Sequence, residues 1–413
     1  MIHNQLHFHS HDNPVGEKAF QTIKDEQVSV GYYGLPEQAI DPILAYAHTI
    51  PDTVKSIAII GIGGSSLGTK AIYRFLNPVR ETKRKLYFFE NTDPLHIQGV
   101  LSQLNLQTTH FLVISKSGTT IETLAIYKYI YALHKQPDAY TFITDKGSPL
   151  DHFAAQNAFP VFHIPDNVGG RFSVLSPVGL VPLAMAGIDI RTLLAGAREI
   201  KQAFFGGEEI KEKLLQKAVY YAKHHMQYHI NCLFAYTESL KYFCDWYVQL
   251  WGESLGKHQR HSAFHVGLTP IGLIGPKDQH SFLQLIMEGT RDKSVTFIKI
   301  EDFNHTLAIA DISLPHLTSL DILNGLPFEK LINTQCDSVM EALLNEKDIP
   351  IDIITIPKVD EQNIGALIFY YELLTSLVGE LIDVNVYDQP GVETGKKILH
   401  NKLSTLSHHQ ETQ

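Results

Sequence analysis

The chain has 413 residues, 44% of them hydrophobic, which is enough for a large buried core and, at usual domain sizes, suggests two domains rather than one. A formal net charge of -10 at pH 7 and a pI of about 6.1 argue against a general nucleic-acid or anionic-membrane binder, since both need a basic face. Any anionic ligand must therefore be held by local cations.

At the N-terminus, "MIHNQLHFHSHDN" shows no apolar stretch after a basic one, so no secretory signal is read there. Both ends, rich in His and Gln, are expected to be loose. "SIAIIGIGGSSLGTKAIYRFL" reads as an apolar strand, a glycine turn and a helix, and "KLYFFENTDP", "HFLVISKSGTTIETLAIYKYIYAL" and "AYTFITDKGSPL" repeat that rhythm. Short apolar runs alternating with helical periods predict a doubly wound parallel sheet, covered on both faces, over about residues 40 to 200. The uncharged run Phe172 to Ile188 is shorter than the about 20 apolar residues of a bilayer span and predicts a buried helix.

The pattern pauses at Gly206 and Gly207. A second series follows: a helix near Lys211 to His229, a strand "INCLFAY", and a helix "KYFCDWYVQLWGESL" whose Tyr242, Phe243, Trp246, Tyr247 and Leu250 form one apolar stripe. "VTFIKI", "SLPHL" and "IDIITIP" predict further strands. From Glu361 a long apolar helix runs to about Glu380, then a loop "DVNVYDQPG" and a final helix from Val392 to about Leu403. Cys232, Cys244 and Cys336 lack CxxC spacing and read as reduced core residues of a cytoplasmic protein.

In a parallel sheet the ligand crevice lies outside the carboxyl ends of the strands, and "GIGGSS" and "SKSGTT" both fall at such ends. A helix N-terminus there offers unpaired N–H groups to a phosphate, with Ser115, Ser117, Thr119 and Thr120 as further donors and Gly118 allowing close approach. Lys116 adds its charge or only its N–H. A plain N-cap at Thr119 or Thr120, with Glu122 in the first turn, accounts for one hydroxyl and not for four. The glycine loop satisfies neither common phosphate motif: Ser66 stands at the third glycine of GxGxxG, and Thr69 where a nucleotide-binding loop has its lysine. On these residues alone a dinucleotide enzyme, with Glu90 as its ribose-binding acid, stays open.

"WGESLGKH" ends the aromatic helix with Glu253 and Lys257, and Gln249 stands one turn before Glu253 on the same face. Partial burial beside the aromatic stripe would raise a Glu pKa toward values suited to a general base; a solvated helix end is the plain alternative. "VGGRFSVLSPVGL" offers Arg171, "DQHSFLQL" offers His280, and "YDQPGVETGKKIL" offers Gln389 and Lys396. Each taken singly is more often a core or surface residue. Histidines His7, His9 and His11, or His225 and His229 at i, i+4, raise a metal site, but no third ligand accompanies the pair and HExxH is missing, so surface histidine is expected.

Taken together, "IGIGGSSLG", "SKSGTTIET", "GGRFSVLSPVGL", "QLWGESLGK", "DQHSFLQL" and "YDQPGVETGK", in that order between residues 59 and 396, resemble the glucose-6-phosphate isomerase (phosphoglucose isomerase) family. The resemblance implies an α/β fold: two doubly wound sheets of mostly parallel strands flanked by helices, sugar isomerase type domains in tandem. An N-terminal segment spans 1–40, a first domain with the phosphate loops 41–205, a second with the catalytic Glu and His 206–360, and C-terminal helices completing the active site 361–413. The implied activity is a cofactor-independent aldose-ketose isomerisation of glucose 6-phosphate and fructose 6-phosphate through a cis-enediol, in glycolysis and gluconeogenesis.

By the same resemblance Glu253 is the base, Arg171 stabilises the enediolate and excludes water, and His280 and Lys396 open the sugar ring. Ser115, Ser117, Thr119, Thr120 and the backbone of Lys116 hold the phosphate; Gly64 and Ser65 contact the sugar, and Gln249 and Gln389 position it. No metal, organic cofactor, nucleic acid or membrane partner is implied. A cytoplasmic homodimer is, with His280 completing the site of the other copy. A non-catalytic sugar-phosphate sensor would keep the "SKSGTT" cradle without needing Glu253, Arg171, His280 and Lys396 together, and mannose 6-phosphate as a further substrate stays open. The chain departs from many relatives in its shorter length, in Gly118 where they carry a bulkier residue, and in the histidine-rich "GESLGKHQRHSAFHVG" beside the base.

Overall fold

A computed structural model of the chain describes residues 2–9, 13–346 and 348–410. Strand β1 (His3–Leu6) and helices α1 (Asn13–Glu26) and α2 (Asp41–Thr49) come first. The first sheet then takes β2 (Ser56–Ile60), α3 (Leu67–Leu76), β3 (Lys85–Phe89), α4 (Pro94–Leu101), β4 (Thr109–Ile114), α5 (Ile121–Leu133), β5 (Tyr140–Asp145), α6 (Pro149–Gln156) and β6 (Val161–Ile164). Its five strands are parallel in the order β3-β2-β4-β5-β6. Every residue of β4 is buried, as a central strand with helices on both faces requires of its sequence.

Helix α7 (Pro177–Ala186) is the buried apolar helix read from the uncharged run, and α8 (Ile190–Gly206) ends where Gly207 adopts the left-handed region, φ 84°. The second unit comprises α9 (Glu209–Lys223), β7 (Ile230–Ala235), α10 (Lys241–Leu255), a ribbon of β8 (Lys257–His258) and β9 (His265–Val266), β10 (Thr269–Ile274), α11 (Leu283–Glu288), β11 (Lys293–Asp302), α12 (Phe328–Asn345) and β12 (Ile351–Lys358). Helices α13 (Glu361–Leu381) and α14 (Glu393–Gln410) follow. Its sheet runs β1-β12-β11-β7-β10, parallel except for β1, which pairs antiparallel with β12. Two doubly wound sheets of mostly parallel strands therefore lie in tandem. Helix α13 has the length and apolarity of a membrane span, but 89% of its apolar window is buried inside the fold, where it packs as a core helix.

Three expectations are corrected. The N-terminal stretch is not loose: β1 closes the edge of the second sheet, and the Asn4 side chain donates to Asp352 Oδ2 at 2.8 Å. "SLPHL" forms no strand, because Pro315 has no N–H for a ladder and Leu314 and Leu317 are exposed. The helix expected to reach His229 stops at Lys223, with a turn before β7.

In each sheet the crossover direction reverses once. Strand β2 leads to β3 on one side while β4 lies on the other; β7 leads to β10 on one side while β11 lies on the other. The crevices at the carboxyl ends of β2/β4 and β7/β11 are thus the two topological switch points, the usual location of ligands in such sheets.

One carboxyl in α13 has no evident partner. Glu372 is fully buried, neither of its side-chain oxygens has a hydrogen-bond partner among the described residues, and burial pushes its pKa well above the ordinary range. A carboxyl whose folded pKa exceeds its unfolded value binds more protons in the folded state, so its contribution is full below the unfolded value of about 4.3 and declines as pH rises toward the folded pKa. Glu372→Gln, which cannot ionise, is expected to gain stability over the parent by about 1.4 kcal/mol per pH unit within that window. Denaturant titrations at pH 5 and 6 measure this, and an unchanged gap between the two proteins would refute it.

Candidate active site

The first switch point is built from the two loops singled out in the sequence. After β2 the glycine loop turns through a 3-10 segment, Gly63–Ser65, and after β4 the hydroxyl-rich loop leads into α5. A Cβ on Gly61 would stand 3.1 Å from the carbonyl oxygen of Ile114, so the two loops lie against each other. Within the second loop Ser115 Oγ and Thr120 Oγ1 are 2.9 Å apart, and Thr119 donates from its N–H and its hydroxyl to Ser117 Oγ at 3.3 and 3.1 Å. Thr120 sits at the N-cap of α5 without a side-chain cap bond, so its hydroxyl does not satisfy the helix end. That leaves the first N–H groups of α5 facing the loop for an anion.

Gly118 is required here: its φ is +67°, and a Cβ would lie 2.8 Å from both Leu150 N and Ser148 Oγ. The Lys116 ammonium is turned to Asp145, 2.7 Å, and the Asp166 carbonyl, 3.3 Å, so the loop's ligand side is left with its backbone.

The other wall comes from the "GGR" turn and α10. A Cβ on Gly64 would collide with the Gly170 carbonyl oxygen, so only glycine lets the two loops touch. Arg171 is 2% exposed, and its guanidinium gathers the rest of the group. Nε donates to Ser254 Oγ at 2.7 Å, Nη1 to Gln389 Oε1 at 3.1 Å, and Nη2 to the carbonyls of Asp388 at 2.9 Å and Val386; Nη1 also lies 3.5 Å from Glu253 Oε2. Burial draws the Arg171 pKa down and the Glu253 carboxylate opposes that. Gln249 Nε2 lies 3.4 Å from Glu253 Oε1 and beside Gly63, while Gln249 Oε1 is buried with no partner among the described residues. The Glu253 side chain is 35% exposed and reachable from the crevice.

The loop that supplies Gln389 is held from two sides. Lys257 donates to Asp388 Oδ1 at 2.7 Å and to the Asn385 carbonyl at 3.1 Å, with burial lowering its pKa. Tyr387 packs on Phe172 at 5.6 Å between ring centroids, and its hydroxyl donates to Glu26 of α1. The histidine-rich ribbon anchors the helix that precedes this loop. Arg260 and His261 bind Asp383 at 3.2 and 2.8 Å, and Arg260 also binds Glu380 at 2.6 Å, which pins the end of α13. Ser254, Asp388 and Asp145 were not singled out in the sequence. "GES" and "YDQ" contain two of them beside residues that were, which is the only signal they carry.

Two expected residues are not brought to this group by the chain on its own. His280 is exposed on the 3-10 turn Lys277–His280 after β10 and makes no hydrogen bond to the group among the described residues. Lys396 lies on α14, paired with Glu393 at 2.7 Å and 60% exposed, because nothing among the described residues covers that part of the helix. His11 lies outside the described residues; among the described ones no three His, Cys, Asp or Glu side chains are grouped as metal ligands.

Comparison with known proteins bears on this arrangement. The family described as phosphoglucose isomerase matches residues 45–413. The chain belongs to the phosphoglucose isomerase family. Among curated relatives of the family it is 40% identical to the glucose-6-phosphate isomerase of Campylobacter jejuni, over 98% of this chain and 100% of that protein. It is 35% identical to that of Methanocaldococcus jannaschii, over 93% and 96%. Of solved structures, a Thermus thermophilus protein described as hypothetical superposes with a TM-score of 0.87 at 32% identity, covering 95% of each chain. A Chlamydia trachomatis glucose-6-phosphate isomerase shares the fold at a TM-score of 0.81 and 23% identity, covering 95% of this chain and 85% of that one. As a phosphoglucose isomerase family member the chain is an enzyme, an isomerase of sugar phosphates.

Proposed function

We propose that this isomerase interconverts glucose 6-phosphate and fructose 6-phosphate through a cis-enediol, in glycolysis and gluconeogenesis, with Glu253 as the base. The observation that carries the reading is the Arg171 guanidinium, buried and within 3.5 Å of Glu253, against the glycine loop that also backs the Ser/Thr loop. Glu253 takes the proton from C2 of the open-chain aldose and returns it to C1, while the C1 oxygen, negative in the first enediolate, gains a proton and keeps it, and the C2 hydroxyl gives up its proton to become the ketose carbonyl. Arg171 stabilises that oxygen and Gln249 and Gln389 orient the sugar, Gln249 Oε1 being a free buried acceptor for a hydroxyl. Ser115, Ser117, Thr119, Thr120 and the Lys116 backbone hold the phosphate, with Gly64 and Ser65 against the sugar.

Ring opening falls to Lys396 and to His280 of the partner subunit, in a cytoplasmic homodimer that needs neither metal nor organic cofactor. Support for the second copy lies in two apolar surfaces: Ile398, Leu403 and Leu406 on α14, and Leu307, Ile312 and Ile322 between β11 and α12, are all exposed. In this reading residues 41–205 supply the phosphate cradle, 206–360 the base and the histidine, and 361–413 the lysine.

A coupled assay of purified protein with fructose 6-phosphate, glucose 6-phosphate and mannose 6-phosphate tests the substrate; inactivity toward the first two would end the reading. Thr120→Val removes one hydroxyl from the phosphate and is expected to raise KM for fructose 6-phosphate by about ten- to a hundredfold, the worth of a hydrogen bond to a charged group of about 1.5–3 kcal/mol. An unchanged KM would remove the loop from phosphate binding.

A further inference from the structure

We propose that the second sheet carries its own binding site for a small phosphorylated sugar, at the β7/β11 switch point and apart from the catalytic group. This goes beyond the isomerase reading and does not rest on it. A cavity of about 410 Å³ opens there, within the about 300–1,000 Å³ of small-molecule sites. It is lined by Thr237, Glu238 and Ser239 on the turn after β7, Lys241 at the start of α10, His305 after β11, and Arg74 from the last turn of α3. The plan repeats that of the first sheet, in which hydroxyls on the strand-to-helix turn at the switch point face the loops of neighbouring elements.

Its cations are only loosely engaged: the Arg74 guanidinium lies 5.7 Å from the Tyr242 ring centroid, and Lys241 acts electrostatically on Asp245 one turn along α10. Neither Arg74 nor Lys241 has a carboxylate within ion-pair distance among the described residues. The hydroxyls of Thr237 and Ser239 share one hydrogen bond, 2.9 Å, which leaves one O–H to donate, while the Ser239 N–H already meets Thr237 Oγ1 at 3.3 Å. Guanidinium, ammonium and hydroxyl together suit a phosphate monoester. Glu238 is a carboxylate in the same wall, unfavourable to a bare anion but a good acceptor for sugar hydroxyls, and His305 adds a ring nitrogen to that wall. Phe303 adds an apolar wall for the C–H face of a sugar ring. The set therefore favours a sugar carrying a phosphate over inorganic phosphate or a neutral sugar.

The two sites are separate but share their supports. Helix α3 begins beside the glycine loop and carries Arg74 in its last turn; α10 begins at Lys241 and carries Glu253 in its last turn. They pack antiparallel, with Lys70 Nζ 4.5 Å from the Tyr242 ring centroid at one end and Gly63 beside Gln249 at the other. At 1.5 Å rise per residue, Lys241 and Glu253 are roughly 18 Å apart along the helix, too far for one hexose phosphate to span.

Calorimetric titration of the full chain with glucitol 6-phosphate, which lacks a carbonyl and is not isomerised, counts the sites. The parent is expected to bind two equivalents per chain. The Arg74→Ala/Lys241→Ala variant is expected to bind one, with kcat for fructose 6-phosphate unchanged, which also shows that it is folded. Thr120→Val is expected to keep the equivalent that the double variant loses. A single equivalent in the parent that Thr120→Val abolishes, or two equivalents retained in the double variant, overturns the proposal. A single equivalent that only the double variant abolishes supports it and instead counts against the phosphate role of the Ser115–Thr120 loop.

Discussion

Glu253→Gln is expected to lower kcat for fructose 6-phosphate by about 10²–10⁴-fold, the usual contribution of a positioned general base, while KM stays within about twofold. Of the carboxylates around Arg171, Asp388 is committed to the loop, with Oδ1 on Lys257 at 2.7 Å and Oδ2 on the Asn385 side chain at 3.1 Å. Glu253 instead has one oxygen near Gln249, the other near Arg171, and a surface open to the crevice. The amide of glutamine keeps that shape and can still present an oxygen to Arg171, yet it cannot accept a proton from carbon. The measurement is steady-state turnover together with exchange of the substrate's C1 and C2 hydrogens into deuterated water, and both should fall in parallel. Turnover within a few-fold of the parent would take Glu253 out of the chemistry.

Lys217→Met is expected to cost about 3–5 kcal/mol of stability, because it leaves one charge of a buried pair alone. Lys217 and Asp352 are fully buried in the second unit, with Nζ 2.6 Å from Asp352 Oδ2 and 3.0 Å from Thr296 Oγ1. Thr296 donates in turn to Asp352 Oδ1 at 2.7 Å, and Asn4 both donates to Asp352 and accepts from the Tyr370 hydroxyl at 2.9 Å. Burial lowers the Lys217 pKa while Asp352 works against that, so the ammonium depends on its partner. Methionine fills most of the lysine's volume but leaves the carboxylate with neutral donors only. Denaturant unfolding reads the loss, and the double variant Lys217→Met/Asp352→Leu should recover most of it, because an apolar pair needs no partner. A single-variant loss below about 1 kcal/mol would show that water or relaxation compensates the carboxylate.

What the sequence made legible follows the strength of each periodic signal. The central strands are continuous apolar runs, "AIIG" and "FLVI", whose burial on both faces leaves no polar alternation to confuse them. Strand β10, "TPIGLI", is hard to read because Pro270 and Gly272 interrupt it; it tolerates them as an edge strand, and Gly272 leaves room for Cys244, whose Cβ would otherwise stand 2.5 Å from a side chain there. Strand β1 carries no apolar run, and its register is set instead by Asn4 reaching a charge more than three hundred residues away. The loops at the first switch point could be read locally, since strand, glycine and hydroxyls are contiguous. The meeting of Arg171 with Glu253, Ser254 and Gln389 could not, because three separate segments supply it; only the family resemblance linked them in advance.

The pairing of His3–Leu6 with Asp352–Thr355 also bears on how the protein is made. Strand β1 leaves the ribosome long before β12, its template, has been synthesised. Until then strand β1 and the Asn4 amide have nothing to pair with, and the second unit cannot complete this edge of its sheet. A bulky fusion at the amino end would therefore interfere with assembly more than its distance from the catalytic crevice suggests.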